Sequence, residues 1–212
     1  MLFDDFLARI NAADLQMLPG ETAHVRMAPP HRRNAVMPAP GSTSVRVAAV
    51  LALIVPDANR NAAIVIIERT GGSSVHASQF SFPGGKQEQD EELYNTALRE
   101  TQEEIGVSKD HIAIVSELTR LFIPPSNFLV YPFLGIMHQR PVYSISENEV
   151  QQVYEIPLGD LLHESAVKQG VFGSSAGYQV QAPFYEWGNV QIWGATAMMI
   201  SEIIELIRKS GK

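Results

Sequence analysis

Leu2, Phe3, Phe6, Leu7 and Ile10 recur at the spacing of one helical face, so the chain is predicted to open with a short amphipathic helix. Between 18 and 45 that rhythm stops, and Pro29, Pro30, Pro38, Pro40 and Gly41 mark an ordered arm or loop. Two uninterrupted apolar runs follow, 47–55 and 62–67, on either side of the polar turn DANRNA; they read as a buried strand pair. A Gly/Ser-rich loop covers 70–79. Helical periodicity returns from Glu91 to Ile105, where Leu93, Ala97, Leu98, Thr101 and Ile105 share a face and Gly106 stands in a C-terminal capping position. Strands are expected at 112–123 and 128–137, turning through Pro124-Pro125-Ser126-Asn127, with more strand at 142–143 and 149–156 and a short helix from Leu158 to Leu162. Tyr178–Gln181, Phe184–Trp187 and Val190–Ile192 suggest a hairpin, and Ala195–Arg208 is a strongly amphipathic closing helix with its cations in the last turn. Strands and helices mix without regular βα alternation. The expected fold class is therefore α/β (α+β), a mixed sheet covered by helices on both faces over 46–212, with 1–45 as an appended helix and arm.

Composition narrows the functional classes. Hydrophobic residues make up 45% and charged residues 18% of 212, as in ordinary globular domains. A net charge of −7 argues against an unassisted nucleic-acid or anionic-membrane surface, and a polyanionic substrate would need a cation to hold it. With no cysteine there is no disulfide scaffold, no thiol nucleophile and no Cys-ligated metal. The first residues, MLFDDFLARI, carry acid where a secretory signal carries Lys or Arg, and the longest apolar run, Val47–Val55, is about half a membrane span of roughly 20 residues. A cytoplasmic location is expected.

Candidate chemistry is concentrated between Gly84 and Val107. On a helix Glu100, Glu103 and Glu104 fall at i, i+3 and i+4, so three carboxylates project from one face with no Lys alternating between them. Arg99 would point about 100° away around the helix. Such a cluster suits a hard divalent cation, Mg²⁺ or Mn²⁺, which takes oxygen ligands and keeps water positions open for a phosphate; the alternative is a solvated helix face.

Gly85, Glu91, Arg99, Glu100, Glu103, Glu104 and Gly106 occupy all seven fixed positions of a pattern that resembles the Nudix box, G-x5-E-x7-R-E-U-x-E-E-x-G-U, with Thr101 at the first bulky apolar position. At about 7% usage per residue type, seven matches arise by chance at about 10⁻⁸ per starting position. The resemblance implies an α/β/α sandwich and hydrolysis of a nucleoside diphosphate linked to another moiety. It implies metal ligands at Glu100, Glu103, Glu104 and the Gly85 carbonyl, beside Gly84 and with Gly106 ending the helix. Arg99 and Glu91 would meet where the loop folds back, as scaffolding for the carboxylates; a directly catalytic Arg99 is the alternative. The general base would be Glu103, or a loop glutamate, Glu147 or Glu149.

Upstream, Ile66-Ile67-Glu68-Arg69-Thr70 and Phe82-Pro83-Gly84-Gly85 resemble the extension found in coenzyme A pyrophosphatases, with Ser74 where a second arginine stands and Ser78 in place of a glycine. Pro125-Ser126-Asn127, Asn148-Glu149-Val150 and Ile192-Trp193-Gly194-Ala195-Thr196-Ala197 extend the likeness along most of the chain. It implies CoA or an acyl-CoA as substrate, cut into 3′,5′-ADP and a 4′-phosphopantetheine product. Without the second arginine, Arg69, Lys86, Arg46, Arg32 or Arg33 would have to meet the substrate's phosphates, Arg69 and Lys86 first. ADP-ribose or a dinucleotide is the alternative substrate, and a nucleotide-binding module without turnover the alternative class. His76, Trp187, Trp193, Phe122, Phe128, Tyr131 and Phe133 are expected to pack rather than react. A homodimer would use the arm or the closing helix.

Overall fold

A computed structural model describes residues 1–33, 37–39, 45–70, 79–173 and 179–211. Ser74, His76, Ser78 and Tyr178 lie outside the described residues. The helices are α1 (Phe3–Ala12), α2 (Glu21–Met27), α3 (Leu93–Ile105), α4 (Leu158–Leu161) and α5 (Gly194–Lys209). The strands are β1 (Arg46–Pro56), β2 (Ala62–Arg69), β3 (Phe80–Ser81), β4 (Gly84–Lys86), β5 (Ala113–Glu117), β6 (Leu121–Ile123), β7 (Phe128–Ile136), β8 (Val150–Pro157), β9 (Val167–Gly173), β10 (Gln179–Trp187) and β11 (Val190–Trp193).

The central sheet is mixed. β1 runs parallel to β7, and β1 also pairs antiparallel with β2 at Ile54–Pro56 and with β4 at Ala48–Val50. β8 covers the far edge of β2, while β5 and β6 share that of β7. Strand alternation divides β1 between two cores. Ala48, Ala52 and Ile54 face the side occupied by α1 and α5, and Ala49, Leu51, Leu53 and Val55 face α3. A strand buried on both sides needs apolar residues at every position, which explains the unbroken run from 47 to 55. Helices thus cover both faces of a mixed sheet. Among the described residues no helix is long and apolar enough to cross a membrane.

Several elements depart from the expected pattern. The arm contains α2, whose regularity comes from docking on α5. Ser201 Oγ donates to the Ala23 carbonyl (2.6 Å), and His24 Nε2 is hydrogen-bonded to the buried Glu202 (3.1 Å). Phe3, Phe6, Ile10 and Met27 join the same core as α5, so the apolar faces of α1 and α5 are covered within the chain. The expected strand 112–123 is broken into β5 and β6, because the Thr119 N–H leaves the ladder for the Glu202 carboxylate (3.2 Å). Residues 142–143 form no strand. The expected hairpin is three-stranded, β11-β10-β9; the added strand, VKQGVFG, is largely exposed and lacks a clean apolar alternation. Helix α3 begins at Leu93 rather than Glu91, since Glu92 is still extended (φ −70°, ψ 137°).

Candidate active site

Two glycines set the approach between β4 and α3. Gly84 has φ +148°, and a Cβ there would lie 2.4 Å from the Ala49 carbonyl oxygen. A Cβ on Gly85 would lie 2.3 Å from Glu100 Oε2, so Gly85 makes room for that carboxylate and lies in direct contact with it. At the other end of α3, Gly106 (φ +73°) turns the chain in the left-handed region against Ser144.

Arg99 stands at the centre of the acidic cluster, contrary to the expectation that it points elsewhere. Its Nε and Nη2 donate to Glu91 (3.0 and 3.1 Å), and Nη1 donates to both Glu100 (2.8 Å) and Glu103 (3.0 Å). Its reach, not its Cα direction, decides this: a long guanidinium stem sweeps back over the adjacent turn. Nη2 also donates to the Lys86 carbonyl (3.3 Å). Glu91, left outside the helix, accepts from the Thr96 hydroxyl as well (2.7 Å), and Arg99's hydrogen bonds hold it down at about 2. Thr96 was not singled out in the sequence; its place five residues after Glu91 was the available signal.

The three α3 carboxylates differ in environment. Glu103 is the open one, its side chain 55% exposed. Glu100 is half-buried, and burial raises its pKa against the pull of Arg99, with Glu103 and Glu149 adding repulsion. Glu104 is fully buried and accepts from the Gly84 N–H (2.8 Å) and Arg69 Nη1 (2.6 Å). Burial pushes it up to about 7 despite Arg69. Arg69, expected to meet substrate, is therefore engaged by Glu104 while its side chain stays 30% exposed along a cleft. Glu149 is exposed, and among the described residues no donor reaches its carboxylate.

Among the described residues no three acidic or imidazole side chains converge tightly enough to hold an ion as they stand. The donors nonetheless match a hard divalent cation. Glu100 and Glu103 already share one cationic nitrogen, Arg99 Nη1, and Gly85 touches Glu100. All ligating atoms on offer are oxygens.

From Gly84, Gly85 and Lys86 a cleft of about 430 Å³ runs to the start of α5. Phe82, Ile123, Phe128 and Val130 give it apolar walls. Trp193, expected in the core, lines it and stacks on Phe172 (4.6 Å between centroids, 9° between planes). Trp187 instead donates to Asp160 (3.0 Å), and Arg46 lies over the Phe128 ring (4.1 Å).

Comparison with known proteins agrees with this architecture. A Nudix domain model matches residues 45–171. The uncharacterized Nudix hydrolase NudL of Citrobacter koseri is 31% identical over 210 residues, covering 96% of this chain and 93% of that protein. NudL of Yersinia enterocolitica is 30% identical over 172 residues, covering 80% and 87%. Among solved structures, a MutT/nudix family protein from Enterococcus faecalis superposes with a TM-score of 0.55 at 14% identity, covering 89% of this chain and 73% of that one. The MutT protein from Methanosarcina mazei gives 0.52 at 14%, covering 81% and 99%. With its box on α3, this sandwich and relatives along nearly its whole length, the chain belongs to the Nudix hydrolase family, enzymes that act on nucleoside diphosphate derivatives.

Proposed function

We propose that the chain is a cytoplasmic, metal-dependent pyrophosphohydrolase that cuts CoA or an acyl-CoA into 3′,5′-ADP and a 4′-phosphopantetheine derivative. The observation that carries this reading is the cleft. It begins at the Gly84–Lys86 segment beside the α3 carboxylates, and its apolar walls suit a base and a long uncharged arm on either side of a diphosphate.

Glu100, Glu103, Glu104 and the Gly85 carbonyl would hold Mg²⁺ or Mn²⁺. When bound, such an ion neutralises charge on the diphosphate and lowers the pKa of attacking water. Water oxygen attacks one phosphorus of the anhydride, the bridging P–O bond breaks, and the leaving phosphate carries the electron pair. Glu149 takes the water proton in this reading. Among the described residues no donor holds its carboxylate, whereas that of Glu103 is hydrogen-bonded to Arg99. Arg99 acts as a positioning residue: bonded to Glu91, it fixes where Glu100 and Glu103 stand. Lys86, and Arg69 from its hold on Glu104, present positive charge to the phosphates from the cleft wall.

The test is hydrolysis of CoA, ADP-ribose, diadenosine polyphosphates and NADH side by side with Mg²⁺ or Mn²⁺, against Glu103→Gln. Preference for CoA, lost in the variant, is the expected result. Preference for ADP-ribose or a dinucleotide would overturn the CoA reading within the same chemistry. Absence of metal-dependent turnover on all four would favour a binding module.

A further inference from the structure

The cleft is more basic than the chain. Arg32, Arg69 and Lys86 line it, and among its described lining residues there is no Asp or Glu, although the protein carries a net charge of −7. Arg69 is paired with Glu104 and Lys86 is exposed to solvent, but Arg32 is neither. It is only 9% exposed, and its Nη2 donates to the Phe122 carbonyl (2.9 Å). Its Nε has no partner, and among the described residues no carboxylate pairs with it. Burial without compensation lowers its pKa to about 10. A desolvated guanidinium whose one hydrogen bond among the described residues goes to a neutral carbonyl is costly, and an anion removes that cost.

Two further features of the same cleft point to the same ligand. Ser81 Oγ is also buried without a partner. The strand that carries it is fastened to α5, because the Thr196 hydroxyl donates to the Phe80 carbonyl (3.2 Å). Gly194, Ala195 and Thr196, the first residues of sixteen-residue α5, line the cleft, with no side-chain cap and no acidic residue in the first turn. A long uncapped helix start offers free N–H groups and positive potential to an anion.

We propose that Arg32, Ser81 and the start of α5 form a second anion subsite, which receives a phosphomonoester carried by the substrate apart from its diphosphate. This rests on the reading of the chain as a pyrophosphohydrolase of a phosphorylated nucleoside diphosphate. The 3′-phosphate of CoA is a group of the required kind.

The experiment measures discrimination, which a purely structural Arg32 would not alter. Adenosine 3′,5′-bisphosphate and AMP are titrated calorimetrically into the intact protein, and kcat/KM is compared for CoA and 3′-dephospho-CoA. The phosphorylated member of each pair is expected to be favoured about 10–100-fold, as one charge-assisted contact allows. Arg32→Gln should bring both ratios to within about threefold of unity, whereas loss of fold or packing would lower both members together and leave the ratio. Equal binding of the bisphosphate and AMP by the unmodified protein overturns the subsite, as does a ratio that survives Arg32→Gln. If Arg32→Gln does not fold, Ser81→Ala carries the test: a ratio cut about threefold supports the subsite and an unchanged ratio overturns it. Intact bisphosphate preference without CoA turnover would retain the subsite and remove only the substrate reading.

Discussion

Glu202 holds the arm to the body of the protein, and its removal has a calculable consequence. Its carboxylate accepts from the Gly20 N–H (3.2 Å), the Thr119 N–H (3.2 Å) and the Thr119 hydroxyl (2.5 Å), and is hydrogen-bonded to His24 Nε2 (3.1 Å). Glu202→Ala leaves these buried and half-buried groups without that partner. At about 1 kcal/mol net per bond after relaxation, the loss is about 4 kcal/mol. For a protein of this size each kcal/mol moves Tm by about 2–4 °C, so a fall of about 8–16 °C is expected in a thermal melt at pH 7. Glu202→Gln, which keeps one acceptor oxygen, should lie between the two. Burial alone would raise the Glu202 pKa, but hydrogen bonds from His24 and Thr119 outweigh it and hold the group below its ordinary value. A carboxyl depressed in the folded state stabilises above the unfolded pKa of about 4.3, and that contribution is lost as pH falls through the folded value. The Tm gap between the unmodified protein and Glu202→Gln should therefore be full at pH 6–7 and narrow progressively below about pH 4. A Tm change under 2 °C for Glu202→Ala, or a gap that widens on acidification, would refute this account.

Other outcomes follow from the site. Gly85→Ala places a Cβ 2.3 Å from Glu100 Oε2, so turnover should fall at least 100-fold while Tm moves by only a few degrees; Gly84→Ala, which strikes the backbone of β1, should instead reduce soluble folded protein. Arg99→Lys cannot reproduce a fork that serves Glu91, Glu100 and Glu103 together, and kcat should drop about 100-fold with no recovery relative to Arg99→Ala. Glu149→Gln should lower kcat by about 10²–10⁴-fold at unchanged metal requirement, whereas Glu103→Gln should shift the Mg²⁺ titration to higher concentration; the reverse pattern would exchange their roles. Chelation should abolish turnover, and added Mg²⁺ or Mn²⁺ should restore it.

What the sequence determined by itself is local and periodic. The unbroken apolar run 47–55 specifies a strand buried on both faces, the 3.6-residue rhythm specifies α3 and α5, and Gly106 ends α3 because the chain turns left-handed there. The spacing of Glu91, Arg99, Glu100, Glu103 and Glu104 was legible for the same reason, since positions on one helix and its adjoining loop follow from chain geometry alone. Tertiary structure decided what depends on partners remote in sequence. Thr119 leaves its ladder for Glu202, 83 residues away, and α2 is regular because α5 receives it; neither preference is written in the local pattern. Arg69 reads as a free phosphate-binding cation until Glu104, 35 residues on, is seen to hold it. Arg32 is one of several arginines along the chain, and only the fold leaves it buried, unpaired by any described carboxylate and set into the cleft. Desolvation is a property of surroundings, so the chemistry of a buried charge waits for the packing that buries it.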